Sequence, residues 1–453
     1  MHNSKRDRAI VVGGGMGGLL AARVLSEDFR QVTILERDTL SSAGEHRRGV
    51  PQSRHTHGLL ASGRQVLEEL FPGFTERLVT SGAITGDVLR EGRWCFEGAD
   101  LARCESGIEG VLLSRPLLER AVRERVAALP NVDIREGCHA ERLEATPDKR
   151  RVIGVRVAGQ VIPADLVVDS TGRGCDSSAW LQALGHDAPD EERVEIGLAY
   201  TTRLFRRRPA HAGGDLAVII PSHPSTKRGG VMLAQEGDRW TVTLITHFGS
   251  AAPGELPGFI EFARNLPSPD IYDVLREAEP LGEAATTRFP ASIRRRYERL
   301  KHVPEGYLVF GDAICSFNPI YGQGMSVAAL EAIELRRALR SGHANPGLHF
   351  YKLAARVIDT PWSIAVGGDL RMPETIGQRS AGVKFINWYI AKLHRAAHHD
   401  PALSVAFLRV SNLLAPPPTV MRPANVLRVL RGSFQTRRAE RPPDRQAQAK
   451  AAH

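Results

Sequence analysis

Two glycine-rich segments and a few acids could do chemistry in this chain. Gly13-Gly14-Gly15-Met16-Gly17-Gly18 spaces its glycines as G-x-G-x-x-G, and Glu36 follows about 20 residues on. Glycines so placed let backbone N–H groups close on a pyrophosphate, and an acid at that distance accepts from ribose hydroxyls. Far along the chain, residues 311–326 combine an acidic turn (Gly311, Asp312) with a loop containing Asn318, Pro319, Ile320, Tyr321 and Gly322. Asp312 suits a hydroxyl of an extended polyol, and the stretch 164–172, ending in Ser170-Thr171-Gly172, offers a third turn. Together they imply one long cofactor gripped at both ends. The first fingerprint alone serves FAD or NAD. A contact at Asp312 favours FAD, whose ribityl chain NAD lacks.

The remaining reactive types are His55-x-His57, Tyr321 and Arg48. The histidines can move protons or pin a loop. As a metal pair they lack a third ligand at sensible spacing, so no metal is expected. Tyr321 is a hydrogen-bonding partner or a loop-packing residue, and Arg48 is a ligand contact or a solvated charge.

These residues need elements to hold them. Residues 8–12 read as a buried strand, 19–25 as the helix behind the glycines, and 31–35 as a second strand ending at Glu36. Residues 164–169 and 307–310 read as further strands, with a helix over 327–339. The pattern then changes: 194–205, 216–220, 230–234 and 240–248 read as strands, with a hairpin turn at Gly237-Asp238. Phe205, Trp240 and Phe248 fit its core. Beyond 346 the chain reads as helices over 348–358, 382–393 and 401–414, then Pro416-Pro417-Pro418 and a short basic helix. The fold class is α/β (α+β overall). A Rossmann-like FAD-binding domain of the glutathione-reductase type occupies 1–189 and 301–345. A β-sheet substrate domain is inserted at 190–300, helices follow over 346–430, and a disordered basic tail covers 431–453.

Bulk properties agree with an enzyme. The chain has 453 residues, 42% hydrophobic and 25% charged, enough for more than one domain. No apolar run approaches the ~20 residues of a membrane span. The segment 10–25 lacks a cleavage pattern, and a cytoplasmic protein is expected. Five cysteines without CxxC spacing argue for reduced thiols. The net charge of +9 includes six basic and two acidic residues in 431–450. No nucleic-acid motif accompanies them, so nucleic acid is not an expected partner.

The motifs at 13–18 with Glu36, at 165–172 and at 311–326 together resemble the para-hydroxybenzoate hydroxylase-like (class A) flavin-dependent monooxygenases. Residues 47–57 (Arg-Arg-Gly-Val-Pro-Gln-Ser-Arg-His-Thr-His) and 317–325 are closer to the bacterial polyene epoxidases of polyether biosynthesis, with squalene epoxidase a more distant likeness. The resemblance implies that Gly13, Gly15, Met16, Gly18, Glu36 and Arg37 hold the nucleotide end of FAD. Arg48 would lie beside the flavin or its phosphates, and Arg115, opening a helix after Ser114, would contact the ribityl-phosphate part. Gly311 and Asp312 would hold the ribityl chain, with Thr171 and Gly172 nearby. Pro319 would pack at the reactive edge of the ring, and the N–H groups of Gly324, Met325 and Ser326 would face its negative pole. The family's aspartate before glycine is replaced by Thr171, which bears on direct reduction by NADPH. A separate flavin reductase is the other electron source.

What the resemblance implies chemically is transfer of one oxygen atom from O2 by way of a flavin C4a-hydroperoxide. The substrate would be hydrophobic, polyketide- or isoprenoid-like, epoxidised at an alkene in secondary metabolism. Arg48, His55 and Tyr321 are the catalytic candidates. Aromatic hydroxylation, reduction of isoprenoid double bonds and a non-enzymatic flavin-binding role are the alternatives. Halogenases share the fold, but their Trp-x-Trp motif is missing. An aromatic stripe at Phe385, Trp388 and Tyr389 fits either helix packing or an apolar, membrane-touching lid.

Overall fold

A computed structural model describes residues 6–40, 49, 51–343 and 345–439. Its centre is a five-stranded parallel sheet in the order Tyr307–Val309, Leu166–Asp169, Arg6–Val12, Phe29–Leu35, Val132–Arg135. All but the edge strand Val132–Arg135 are apolar and buried at their carboxyl ends. That is the pattern of a sheet covered on both faces. The register aligns Val12 with Leu35 and with Asp169, and Asp169 with Val309. Gly13, Glu36, Ser170 and Phe310 therefore leave the sheet along one edge, the carboxyl edge where open α/β sheets bind ligands. Helices Met16–Asp28, Gly324–Arg340 and Pro346–Asp369 pack into the same core through Leu19, Leu20, Leu335 and Phe350.

A second, eight-stranded sheet runs Cys315–Ser316, Pro280–Arg295, Glu191–Arg206, Arg239–His247, Arg228–Gln235, Ala217–Ile220, Gly92–Phe96, Ala99–Asp100. Phe205 and Trp240 are fully buried in its core beside Phe259, as expected of them. The hairpin turn falls at Gly237 and Asp238, with φ of +72° and +51°. Phe248 differs: it lies just past its strand with φ +52°, its ring over Gly197. This sheet also draws on 92–100 and 315–316, outside the 190–300 span. Its 16-residue strand Pro280–Arg295 has no counterpart in the strand reading, because glycine, proline and bulges opposite Glu195–Leu198 and Thr202–Leu204 break its alternation.

From 346 to 439 the chain is mainly helical: Pro346–Asp369, Ala381–Ala397, Pro401–Ser411 and Pro423–Ala439. The first runs through Pro361 and ends 11 residues beyond the expected 358, at Asp369. The last carries past 431, where a disordered tail is expected. Its apolar positions Val426 and Val429 pack on the helical cluster, and arginine and alanine propagate a helix readily. No helix among the described residues is long and apolar enough to cross a membrane.

Candidate functional site: a flavin-type cavity

At the first glycine cluster, Gly13 and Gly18 admit no side chain. Gly13 (φ +100°) donates to Leu35 O at 2.8 Å, and a Cβ there would lie 2.6 Å from Ser170 O. A Cβ on Gly18 would lie 1.8 Å from Gly13 O, so only glycine allows this helix to approach its strand. Gly15, the residue before the helix, faces open space. The helix N-terminus behind it leaves backbone N–H groups for an anion. Glu36, 6% exposed, accepts from Gly14 N–H at 2.8 Å through Oε2 and from Asp38 N–H at 2.9 Å through Oε1. It thus shapes the loop as well as lining the cavity beside Arg37.

The second grip starts from Gly311 (φ +70°), whose N–H donates to Glu331 Oε2 at 2.9 Å. Asp312 follows, deep in the protein yet open to the cavity. Burial pushes its carboxyl up, and the guanidinium groups of Arg115 and Arg173 oppose that shift. Gly324, opening its helix, stands so close that a Cβ would lie 3.6 Å from Asp312 Oδ1. Arg115 is 8% exposed, reaches Glu119 at 3.3 Å, and its helix is capped by Ser114, which accepts from Leu117 N–H. Arg173 stacks on Phe289 at 4.1 Å and donates to Ala291 O at 3.0 Å.

Thr171 turns inward: its N–H and Oγ1 donate to Asp169 Oδ1 at 3.0 and 2.7 Å. Gly172 (φ +82°) is open. Gly13, Gly15, Met16, Glu36, Arg37 and Arg115 line one cavity together with Thr171, Gly172, Asp312, Pro319, Gly324 and Met325. Gly18, Gly311 and Ser326 stand behind its wall. Ser326 is fully buried, and its Oγ accepts from Leu60 N–H at 3.1 Å, pinning the 58–60 loop. Arg48 lies outside the described residues.

Of the catalytic candidates, His55 is 4% exposed and has a threonine hydroxyl on each ring nitrogen: Thr202 on Nδ1 and Thr287 on Nε2, both at 2.8 Å. It bridges the two long strands of the large sheet, with Tyr200 edge-on at 4.4 Å. The two hydroxyls hold the ring in place on the cavity wall. His57 Nδ1 faces His55 O at 2.9 Å.

Tyr321 stands in the Pro319–Tyr321 turn, which Asn318 caps by accepting from Ile320 N–H at 3.1 Å. Its hydroxyl donates to Asp369 Oδ1 at 3.3 Å, and Asn318 Nδ2 donates to the same oxygen at 2.7 Å. Asp369 Oδ2 has no hydrogen-bond partner. Burial pushes this carboxyl up to about 7 while Asn318 and Tyr321 hold it down. Gly368 lets the phenol in, since a Cβ there would lie 2.2 Å from the Tyr321 hydroxyl. Sequence reasoning missed Asp369, Glu331 and Arg173. The only available signal for Asp369 was the Gly367-Gly368 pair before it, at the end of a helix that the reading stopped at 358.

The cavity measures about 1460 Å3, more than the ~300–1,000 Å3 usual for one small-molecule site. It continues from the glycine wall to Trp94, Phe96, Tyr389, Ile390 and Phe407 on the helical side. The glycine cradle, the open Asp312 and this length fit FAD with room for a second molecule.

No protein-family model matches the chain. It is 33% identical to Protein Rv3254 of Mycobacterium tuberculosis over 449 residues, 90% of each chain. It is 23% identical to squalene monooxygenase 1,1 of Brassica napus over 73% of this chain and 62% of that one. Among solved structures, the flavin-dependent brominase Bmp2 superposes with a TM-score of 0.63 at 13% identity, over 96% of this chain and 99% of that one. PqsL, a probable FAD-dependent monooxygenase from Pseudomonas aeruginosa, gives 0.61 at 17% identity, over 83% and 99%. The chain thus belongs to the family of Protein Rv3254, and its fold is the one shared by the flavin-dependent brominase Bmp2 and PqsL.

Proposed function

We propose that this protein is an FAD-dependent monooxygenase that epoxidises an alkene of a hydrophobic, polyketide- or isoprenoid-like molecule, with NADPH as electron donor. The observation that carries this reading is the continuous cavity, gripped by glycines and Asp312 at one end and walled by aromatic and aliphatic side chains at the other. Bound FAD supplies the redox chemistry and the activation of O2. The chain's own residues bind, orient and exclude water. Asp312 accepts from the ribityl hydroxyls, and Arg115 and Arg173 keep its charge compensated. The start of the Gly324–Arg340 helix brings roughly +0.5 charge to the ring's negative pole. Trp94, Phe96 and Phe407 keep water from the reacting alkene.

Epoxidation calls for no strong base, in keeping with His55 being held on both nitrogens. Aromatic hydroxylation is the second reading: Asp369, near neutrality beside Tyr321, can take a phenolic proton. The exposed Phe385 and Trp388 support a peripheral contact with a membrane that stores the substrate. The test is purification, a flavin spectrum, and oxygen-isotope incorporation from labelled O2 into polyenes and phenols, with NADPH alone or with a flavin reductase. Label in a polyene epoxide is expected; label in neither class overturns the reading.

A further inference from the structure

Several polar side chains line the helical wall of the cavity, and among the described residues one of them, a histidine, stands without a hydrogen-bond partner. His394, on the Ala381–Ala397 helix, lines the cavity and is 2% exposed, with no hydrogen-bond partner for Nδ1 or Nε2. Its ring packs on Phe96 at 4.2 Å and meets Phe407 edge-on at 4.5 Å. Burial pushes the imidazole down to about 3, and the charge of Arg371 and His398 acts in the same sense. The ring is therefore neutral, with one nitrogen donating and the other accepting.

Its neighbours are already satisfied. Trp94 Nε1 donates to Val88 O at 2.7 Å, and the Tyr389 hydroxyl to Val420 O at 2.7 Å. Asn387 Nδ2 donates to Gly367 O at 2.8 Å, and His398 Nε2 faces Phe96 O at 2.9 Å. The charges are paired too, Glu97 taking Arg371 and Arg395. Buried polar groups without partners are rare and costly, so two of them on one ring beside a cavity call for an explanation.

We propose that His394 is the recognition residue for a neutral hydroxyl on an otherwise apolar substrate, bound against Trp94, Phe96 and Phe407. A hydroxyl both donates and accepts, which matches a neutral imidazole. A carboxylate could only accept, leaving the second ring nitrogen bare, and it would bring an unpaired charge into a wall whose cations are already paired. This assignment rests on reading the helical half of the cavity as the substrate chamber. It makes the preferred substrate a polyene alcohol or a phenol rather than a bare hydrocarbon.

The test compares beta-naphthol with naphthalene by equilibrium dialysis on the flavin-loaded full chain, in wild type, His394→Phe and His394→Gln. Wild type is expected to bind naphthol roughly tenfold more tightly than naphthalene. His394→Phe should erase that preference with naphthalene affinity and flavin content unchanged, and His394→Gln should restore part of it. Equal affinities in wild type, including no binding of either, overturn the proposal, as does a preference that survives in His394→Phe. The flavin spectrum reports separately: a chain that takes up no FAD defeats the monooxygenase reading, whatever the dialysis gives.

Discussion

Glu331, about two turns into its helix, reaches back to accept the N–H of Gly311 at 2.9 Å, and so fixes the turn that presents Asp312. Its other oxygen has no hydrogen-bond partner. Burial pushes the Glu331 carboxyl up to about 8; the Gly311 N–H acts against this and the Asp312 charge with it.

A carboxyl whose pKa rises on folding stabilises fully below its unfolded value of 4.5, and that contribution is lost as pH rises through about 8. Glu331→Gln keeps an acceptor for Gly311 and cannot ionise. Thermal unfolding between pH 5 and pH 9 should therefore show wild type losing stability with pH more steeply than the variant. Parallel curves would remove Glu331 as the buried acid.

Asp312→Ala should weaken FAD retention by about ten- to hundredfold, the loss of a hydrogen bond to a charged acceptor. Asp312→Asn should recover part of it. Flavin content after gel filtration measures this, and unchanged content would sink the ribityl assignment.

Gly18→Ala places a methyl 1.8 Å from Gly13 O, within backbone that cannot step aside cheaply. It should cost at least ~2 kcal/mol of stability and abolish flavin binding. A variant with wild-type melting and flavin content would show that helix and strand are less tightly apposed.

With a phenol as substrate, the pH profile of oxygen transfer should bend near 7 if Asp369 takes the proton; a polyene should show no such bend. Asp369→Asn should flatten that bend. Tyr321→Phe removes a donor that holds the carboxyl down, so the bend should move to higher pH. A bend unmoved in both variants would belong to another group.

Thr287→Val leaves His55 Nε2 facing a methyl, which should cost about 1–3 kcal/mol. Melting temperature should fall while flavin content holds. If instead turnover collapses at unchanged stability, His55 acts on the reacting atoms rather than as a pin.

What was legible from sequence was local. Gly13 to Gly18, Glu36 and Asp312 follow strands at fixed short offsets, so one line of residues reveals both grips. The 280–295 strand was hidden because Gly282 and Pro290 interrupt it and bulges shift its phase. Asp369 was hidden for a different reason: its partners, Asn318 and Tyr321, lie about fifty residues back on another element. Nothing in a helix passing Pro361 announces that its last residue is a buried acid. Glu331 likewise reads as a solvated helix charge until the Gly311 turn folds onto it.

The short strand Cys315–Ser316, just after Asp312, pairs with Ile293 and Arg294 and so forms the edge of the large sheet. The Asp312 loop and the large sheet are thus stitched along one seam. For engineering, this means the sheet is not an interchangeable cassette. A chimera that imports a foreign 190–300 segment must bring the matching 311–326 with it, or the graft will tear where the loop joins the sheet.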